Sequence, residues 1–255
     1  MPRIPSIRPS SGWRPTSRSR SPSLETGPRG PSSSSSGAAR AANAAHWRQP
    51  MELTYHGHSC VRLRGRDMTV VVDPSQATLP GLAKGTVGLI VRTEGATDPE
   101  RLRARDGEMQ EVSGPGEFEI GGVSILGLAA GETTVIRVSV DDVRVVVAGR
   151  LRRQLTEDEI DSLGHVDVLV IPVGGGDALG AIDAAKLVNA VEPSIVVPAR
   201  YGSGDGGEYD PVGKFAKEMG LAEGTWEAQP KLTLAGSTGE TDDTRVVFLE
   251  VRTAG

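Results

Sequence analysis

From Met51 onward the apolar positions fall into short runs broken by Gly, Pro and Asp, whereas residues 1–50 show no apolar period. Residues 166–171 are rich in branched apolar side chains and are ended by Pro172 and Gly174-Gly175-Gly176, the pattern of a strand buried on both faces. A helix follows: Ala181, Ala184, Ala185, Val188 and Val191 recur at helical spacing, Asp177 is placed to cap it, and Pro193 stops it after Glu192. Residues 194–197 form a second buried strand, so the stretch predicts a strand-helix-strand unit with a right-handed crossover. Both strands run out on one edge. Ligands of open α/β sheets bind there, which directs the search for chemistry to residues 174–177 and 198–201.

Upstream, residues 52–55, 60–64 and 69–72 read as a meander of short strands separated by His56-Gly57-His58 and Gly65-Arg66-Asp67. A Pro- and Gly-rich connection, 79–85, leads to an apolar strand at 87–91 and a loop at 92–98, after which Pro99 opens a short helix capped by Asp98. Alternation at 117–123 and 133–140 predicts antiparallel strands with one wet face. The strand at 117 is read as continuing to Leu126, and a further strand at 143–148 follows the Asp141-Asp142 turn. Thr156 and Glu159 make a capping box for a helix ending at Leu163-Gly164, and Asp210-Pro211 opens another that runs to Gly220. Strands at 231–234 and 244–251 complete the chain.

Composition divides the chain in two. Residues 1–50 hold eight Arg and a single acid, Glu25, amid Ser, Pro and Ala, too little apolar surface to offset ordering entropy, so a disordered extension is expected there and one folded domain over 51–255. With the whole chain at −5, the last 205 residues carry −12. An acidic domain argues against a nucleic-acid surface and leaves a small molecule or anion as the expected partner, while the arginine segment alone suits polyanions. The one cysteine, Cys60, excludes an internal disulfide. No run reaches membrane-spanning length and no apolar core follows the basic residues as in a secretory signal, so a cytoplasmic protein is expected.

The order of these pieces resembles the metallo-β-lactamase superfamily, and within it the single-domain bacterial group of zinc-dependent or metal-dependent hydrolases. The resemblance rests on residues 52–60 (ELTYHGHSC), Val71-Val72-Asp73-Pro74, residues 114–122 (GPGEFEIGG), Ile171-Pro172-Val173-Gly174-Gly175, Val196-Val197-Pro198 and Thr244-Arg245-Val246-Val247. It implies an α/β (α+β) fold, a four-layer αββα sandwich, with a zinc site at one edge that hydrolyses esters, phosphoesters or lactones. Such hydrolases carry a His-x-His-x-Asp-His loop, because paired zinc ions need imidazole and carboxylate ligands to generate hydroxide. Here the corresponding loop reads Glu94-Gly95-Ala96-Thr97-Asp98-Pro99, so that Glu94, Ala96, Asp98 and Pro99 stand at the ligand positions and only Asp98 matches. The next histidine of the family would fall near residues 128–131, where there is none. Its metal-bridging aspartate corresponds to Arg150, and its last histidine to Arg200.

The histidines that remain offer one alternative cluster. His56, His58 and Cys60, spaced by two, would share a face of an extended strand, although a structural histidine in the opening turn explains them without a metal. His165 reads as a hydrogen-bonded surface residue. Ser59 and Cys60 have no base or orienting partner as nucleophiles, and Gly174-Gly175-Gly176 has neither a Walker lysine nor the G-x-G-x-x-G spacing of a nucleotide site. The sequence therefore predicts a hydrolase-like pseudoenzyme without cofactor, with an atypical active hydrolase as the alternative. Arg150 and Arg200 have two readings: a cluster neutralised by Glu94 and Asp98, or a pocket for a phosphate or carboxylate.

Overall fold

Thirteen strands among the described residues form two sheets, and the period-2 alternation of their side chains explains how the sheets stack. The computed structural model describes residues 50–82, 86–94, 109–202, 207–239 and 243–252, all within one compact unit, Ala45–Gly255. The expectations for residues 1–49 and for the helix at Pro99 lie outside the described residues.

The first sheet has the order β12-β1-β2-β3-β4-β5, from β1 (Met51–Gly57), β2 (Cys60–Arg64), β3 (Thr69–Val72), β4 (Leu89–Arg92), β5 (Gln110–Ser113) and β12 (Leu232–Leu234). The second has the order β13-β11-β10-β9-β8-β7-β6, from β6 (Gly116–Ile120), β7 (Val123–Ala130), β8 (Thr133–Val140), β9 (Val143–Val147), β10 (Val168–Pro172), β11 (Ile195–Ala199) and β13 (Arg245–Val246). Strands β9, β10, β11 and β13 pair in parallel, as do β3, β4 and β5.

Alternate residues of one strand serve two different cores. In β3 and β4, Val70, Val72, Leu89 and Val91 point between the sheets, while Val71 and Ile90 point outward onto α1 (Leu79–Leu82) beside Cys60. Likewise Val145, Val147, Val168 and Val170 face the other sheet. Val146, Leu169, Ile171 and Val196 meet Leu163 of α2 (Glu157–Leu163), Leu187 and Val188 of α3 (Ala181–Val191) and Phe215 of α4 (Val212–Glu218). The result is helix, sheet, sheet, helix. Each fully buried Val or Leu contributes roughly 1.5–3 kcal/mol, so three apolar clusters hold the layers together.

Several elements depart from the sequence reading for physical reasons. The run read as 117–126 is a hairpin, because Gly121 and Gly122 take positive φ (56° and 80°) and turn the chain between β6 and β7. Strand β5 escaped notice because only Val112 of its four residues is buried, and the connection read at 79–85 contains the helical turn α1. Strand β8, expected to have a wet face, keeps it only at Arg137 and Ser139, because Val135 packs in the cluster that includes Leu163, and Thr133 and Thr134 bond the Thr93 carbonyl. The capping box of Thr156 and Glu159 forms as expected. Asp177 does not cap α3, whose N-cap is Gly180. Strand β6 ends the second sheet and is exposed along Gly116–Glu119, with Phe118 between Glu117 and Glu119. Among the described residues no helix is long and apolar enough to cross a membrane.

Candidate functional site

Four charged side chains reach one place from the carboxyl ends of four strands. Glu94 follows β4, Arg150 follows β9, Asp177 lies in the glycine loop after β10, and Arg200 follows β11. Carboxyl ends of parallel strands are where this class of sheet builds its sites. Close backbone approach there depends on glycine. A Cβ on Gly149 (φ 60°) would fall 2.3 Å from Thr93 Oγ1, and one on Gly174 would fall 2.2 Å from the Arg200 carbonyl oxygen.

Asp177 is the centre of the arrangement. Its carboxylate lies 3.0 Å from Arg150 Nε and 2.8 Å from Arg200 Nη2, while Arg150 Nε also lies 3.2 Å from Glu94. The Tyr209 hydroxyl accepts from Arg200 Nη2 at 2.7 Å and donates to Asp177 at 3.3 Å, and the Arg200 guanidinium sits 5.2 Å from the centre of the Tyr209 ring. Arg152 Nε donates to the Asp177 carbonyl at 2.9 Å, so three arginines pin this loop. Burial pushes the Asp177 carboxyl up, but the hydrogen bond from Arg200 and the charges of Arg200 and Arg150 outweigh it and hold the group below its ordinary value. Two guanidiniums against Glu94 and Asp177 leave the cluster neutral.

A second, inner layer positions this cluster. Thr93 donates its N–H to Asp73 at 2.7 Å and its hydroxyl to the other Asp73 oxygen, fixing the residue before Glu94, and its carbonyl accepts from Thr134 N–H at 3.0 Å. Burial raises the Asp73 carboxyl to about 6, against the two Thr93 hydrogen bonds. On the opposite side, Tyr55 Oη donates to the His58 carbonyl at 3.0 Å and accepts from Arg200 N–H at 3.1 Å. This joins the β1–β2 turn of the first sheet to the end of β11 in the second. Tyr55→Phe removes that buried bridge and is expected to cost about 1 kcal/mol. Urea denaturation at pH 7 checks it, and an unchanged midpoint would show that the hydroxyl contributes nothing.

The positions inferred from the resemblance fare differently. Glu94, Arg150 and Arg200 come together. Ala96, Asp98 and Pro99 lie outside the described residues, and the counter-ion between the arginines is Asp177, which sequence reasoning had given to the helix. Tyr209, Arg152 and Asp73 were also missed as site residues. The signal for Asp177 was present: it falls in the loop singled out for chemistry, and two arginines converging on one edge need an anion between them. His56, His58 and Cys60 do not share a face, because an irregularity between Tyr55 and Gly57 and a turn at His58 (φ 51°) rotate them apart. His56 is buried with Nε2 3.1 Å from Thr54 Oγ1, His58 is exposed at the rim, and Cys60 packs in the outer apolar cluster. Burial, with Arg62 and Arg252 nearby, lowers the His56 pKa to about 4. His165 bonds to Asp167 at 3.2 Å.

The described residues of the site do not fit a zinc centre. Zinc takes imidazole, thiolate or carboxylate ligands. Here Arg150 and Arg200 carry guanidinium groups, which offer no lone pair to a cation, and the carboxylates of Glu94 and Asp177 are engaged by them. Among the described residues no three His, Cys, Asp or Glu side chains gather as a metal-holding group.

An αββα sandwich with its functional edge at these strand ends defines a protein of the metallo-β-lactamase class. The chain belongs to the β-lactamase superfamily domain family, whose model matches residues 52–200. It is similar to a UPF0173 metal-dependent hydrolase of Lysinibacillus sphaericus, 24% identical over 204 residues that cover 63% of this chain and 89% of the relative. A structure from Thermotoga maritima, assigned to the zinc-dependent hydrolases of the metallo-β-lactamase superfamily, superposes with a TM-score of 0.67 at 22% identity over 79% of this chain and all of the other. A metallo hydrolase from Ignicoccus hospitalis gives 0.57 at 19% identity over 72% of this chain and 98% of its own. At these identities the structures share the fold.

Proposed function

We propose that this chain is a member of the metal-dependent hydrolase family in which an ion-pair network replaces the metals, a pseudoenzyme with a binding or structural role and no cofactor. The observation that carries this reading is the pair Arg150 and Arg200, bridged by Asp177, at positions where the resemblance places an anionic bridge and an imidazole. Guanidinium groups remain protonated at any working pH and cannot ligate a cation. Without a metal, the site has no group that would generate hydroxide at neutral pH. The sequence alternative, an atypical hydrolase of esters, phosphoesters or lactones, needs a free nucleophile and base, whereas both carboxylates of the cluster are engaged by guanidiniums and the Tyr209 hydroxyl is held between Arg200 and Asp177.

The test is metal loading. After incubation with zinc, iron or manganese and desalting, the full chain is expected to retain no stoichiometric metal by elemental analysis. It should show no rise in melting temperature with added metal, since a ligand of the native state would raise it. Generic esters and phosphodiesters should not turn over. Stoichiometric zinc together with turnover would overturn the proposal.

A further inference from the structure

Asp177 does for the two arginines what an anion from solution would do. Its carboxylate bridges Arg150 Nε at 3.0 Å and Arg200 Nη2 at 2.8 Å, and the Tyr209 hydroxyl faces the same oxygen at 3.3 Å. The match between donors and acceptors is incomplete. Arg200 Nε is buried without a hydrogen-bond partner, and Arg150 Nε, although close to two carboxylates, directs its N–H along neither. Buried donors left unspent are costly and rare, and a pair of them on converging guanidiniums marks a place where a better acceptor fits. A carboxylate offers two oxygens in one plane. A phosphate offers oxygens in tetrahedral directions and suits guanidinium forks approaching from different strands.

We propose that this is a binding site for a tetrahedral oxyanion, inorganic phosphate or a phosphomonoester, held closed by Asp177 as an internal competitor. The inference rests on the metal-free reading of the site. Asp177 follows Gly175 and Gly176, both at positive φ (71° and 66°), and the loop is closed on itself by Gly175 N–H to the Leu179 carbonyl at 3.0 Å. A side-chain rotation of Asp177 therefore uncovers both guanidiniums while the loop backbone and the Arg152 contact to its carbonyl stay in place. Glu94 remains on Arg150, so Arg200, the more buried of the two, becomes the main contact, with Tyr209 as a hydroxyl donor. Side-chain exposure is 9% for Arg200 and 37% for Arg150, which puts the recognition on the more buried guanidinium.

The experiment titrates the full-length protein with inorganic phosphate and with phenyl phosphate at constant ionic strength, with and without EDTA, by calorimetry and melting temperature. Asp177→Asn should bind phosphate at least about tenfold more tightly than wild type, because the competitor and its ion pairs are gone. Adding Arg200→Met to that variant should abolish the gain. Tighter binding of phenyl phosphate assigns the phosphomonoester, and equal binding assigns the free ion. A folded Asp177→Asn variant with no greater affinity than wild type overturns the proposal. If that variant does not fold alone, phosphate should restore its cooperative melt, and failure to do so counts against the proposal equally. Phosphate binding by wild type that disappears on adding EDTA would belong to a bound metal and would overturn the metal-free reading instead.

Discussion

Arg200→Ala is expected to lose about 3 kcal/mol of folding stability in phosphate-free buffer, the cost of taking a large buried side chain from a partly buried ion pair. Only 9% of this side chain is exposed, and it holds Asp177 at 2.8 Å and the Tyr209 hydroxyl at 2.7 Å. Its removal leaves Asp177 with a single guanidinium, takes the cation from beside the Tyr209 ring and opens a gap at the junction of the sheets. Arg200→Lys should recover only part of this, because one ammonium lacks the planar fork that reaches both partners. Arg150→Ala should cost under about 1 kcal/mol, since that side chain is 37% exposed and its pairing is screened by water. Urea denaturation of the three variants at pH 7 orders them. An Arg200→Ala protein as stable as wild type would show that the cluster does not hold this edge together.

The second large effect is expected in the pH dependence of Asp73→Asn. His56 has a folded pKa near 4, below its ordinary 6.5, so the unfolded chain binds the extra proton between those values. Stability from this group is complete above 6.5 and is lost as pH falls toward 4. Asp73 works in the opposite sense. With a folded pKa of about 6 against 3.8, it is the folded state that takes up the proton, so its contribution grows as pH falls from 6 and is lost as pH rises through 6. Each shift corresponds to roughly 3 kcal/mol, and over the shared window the two nearly cancel. The carboxyls of Glu52, Glu159, Asp167 and Asp177 are all lowered from ordinary values of 3.8 or 4.5, so their contribution is present above those values and is lost only as pH falls below them. Between pH 7 and 4.5 wild type should therefore change by less than about 1 kcal/mol, while Asp73→Asn, which keeps an acceptor for Thr93 N–H but no charge, should lose roughly 2–3 kcal/mol. Parallel stability curves for the two proteins would contradict the assignment of both buried groups.

The scaffold was largely legible because its strands are buried on both faces. Runs such as Val168–Pro172 and Ile195–Ala199 are apolar at successive positions, and only a sheet covered on each side by another layer demands that. Elements with few buried residues were not legible: β5 keeps one apolar side chain, and the β6–β7 hairpin is marked only by two glycines inside a run that otherwise alternates. The site was legible as a set of positions and not as a set of partners. Arg150 and Arg200 were placed by the resemblance to the superfamily, Arg200 also by its loop at a strand end. Which anion met them could not, since Asp177 carries the same local signature as a helix cap and its role depends on a contact 23 residues away in the chain. The His56, His58 and Cys60 spacing misled for a related reason, as it assumes a regular strand where Gly57 (φ 95°) introduces a turn.

Among the described residues β6 has no strand on its outer side, and this edge bears on how the domain behaves in a crowded solution. An unpaired strand invites a neighbouring copy to add its own, the first step toward stacked assemblies. Two copies of β6 meeting antiparallel about a two-fold axis must place side chains of the same face opposite each other. Centring the pair on Phe118 sets Glu117 against Glu119, while moving the centre by one residue either way sets Glu117 or Glu119 against its own counterpart. Like charges directly across a strand pair are destabilising. The two carboxylates therefore guard the exposed aromatic between them, and this edge resists its own copies in every register where the strands overlap well.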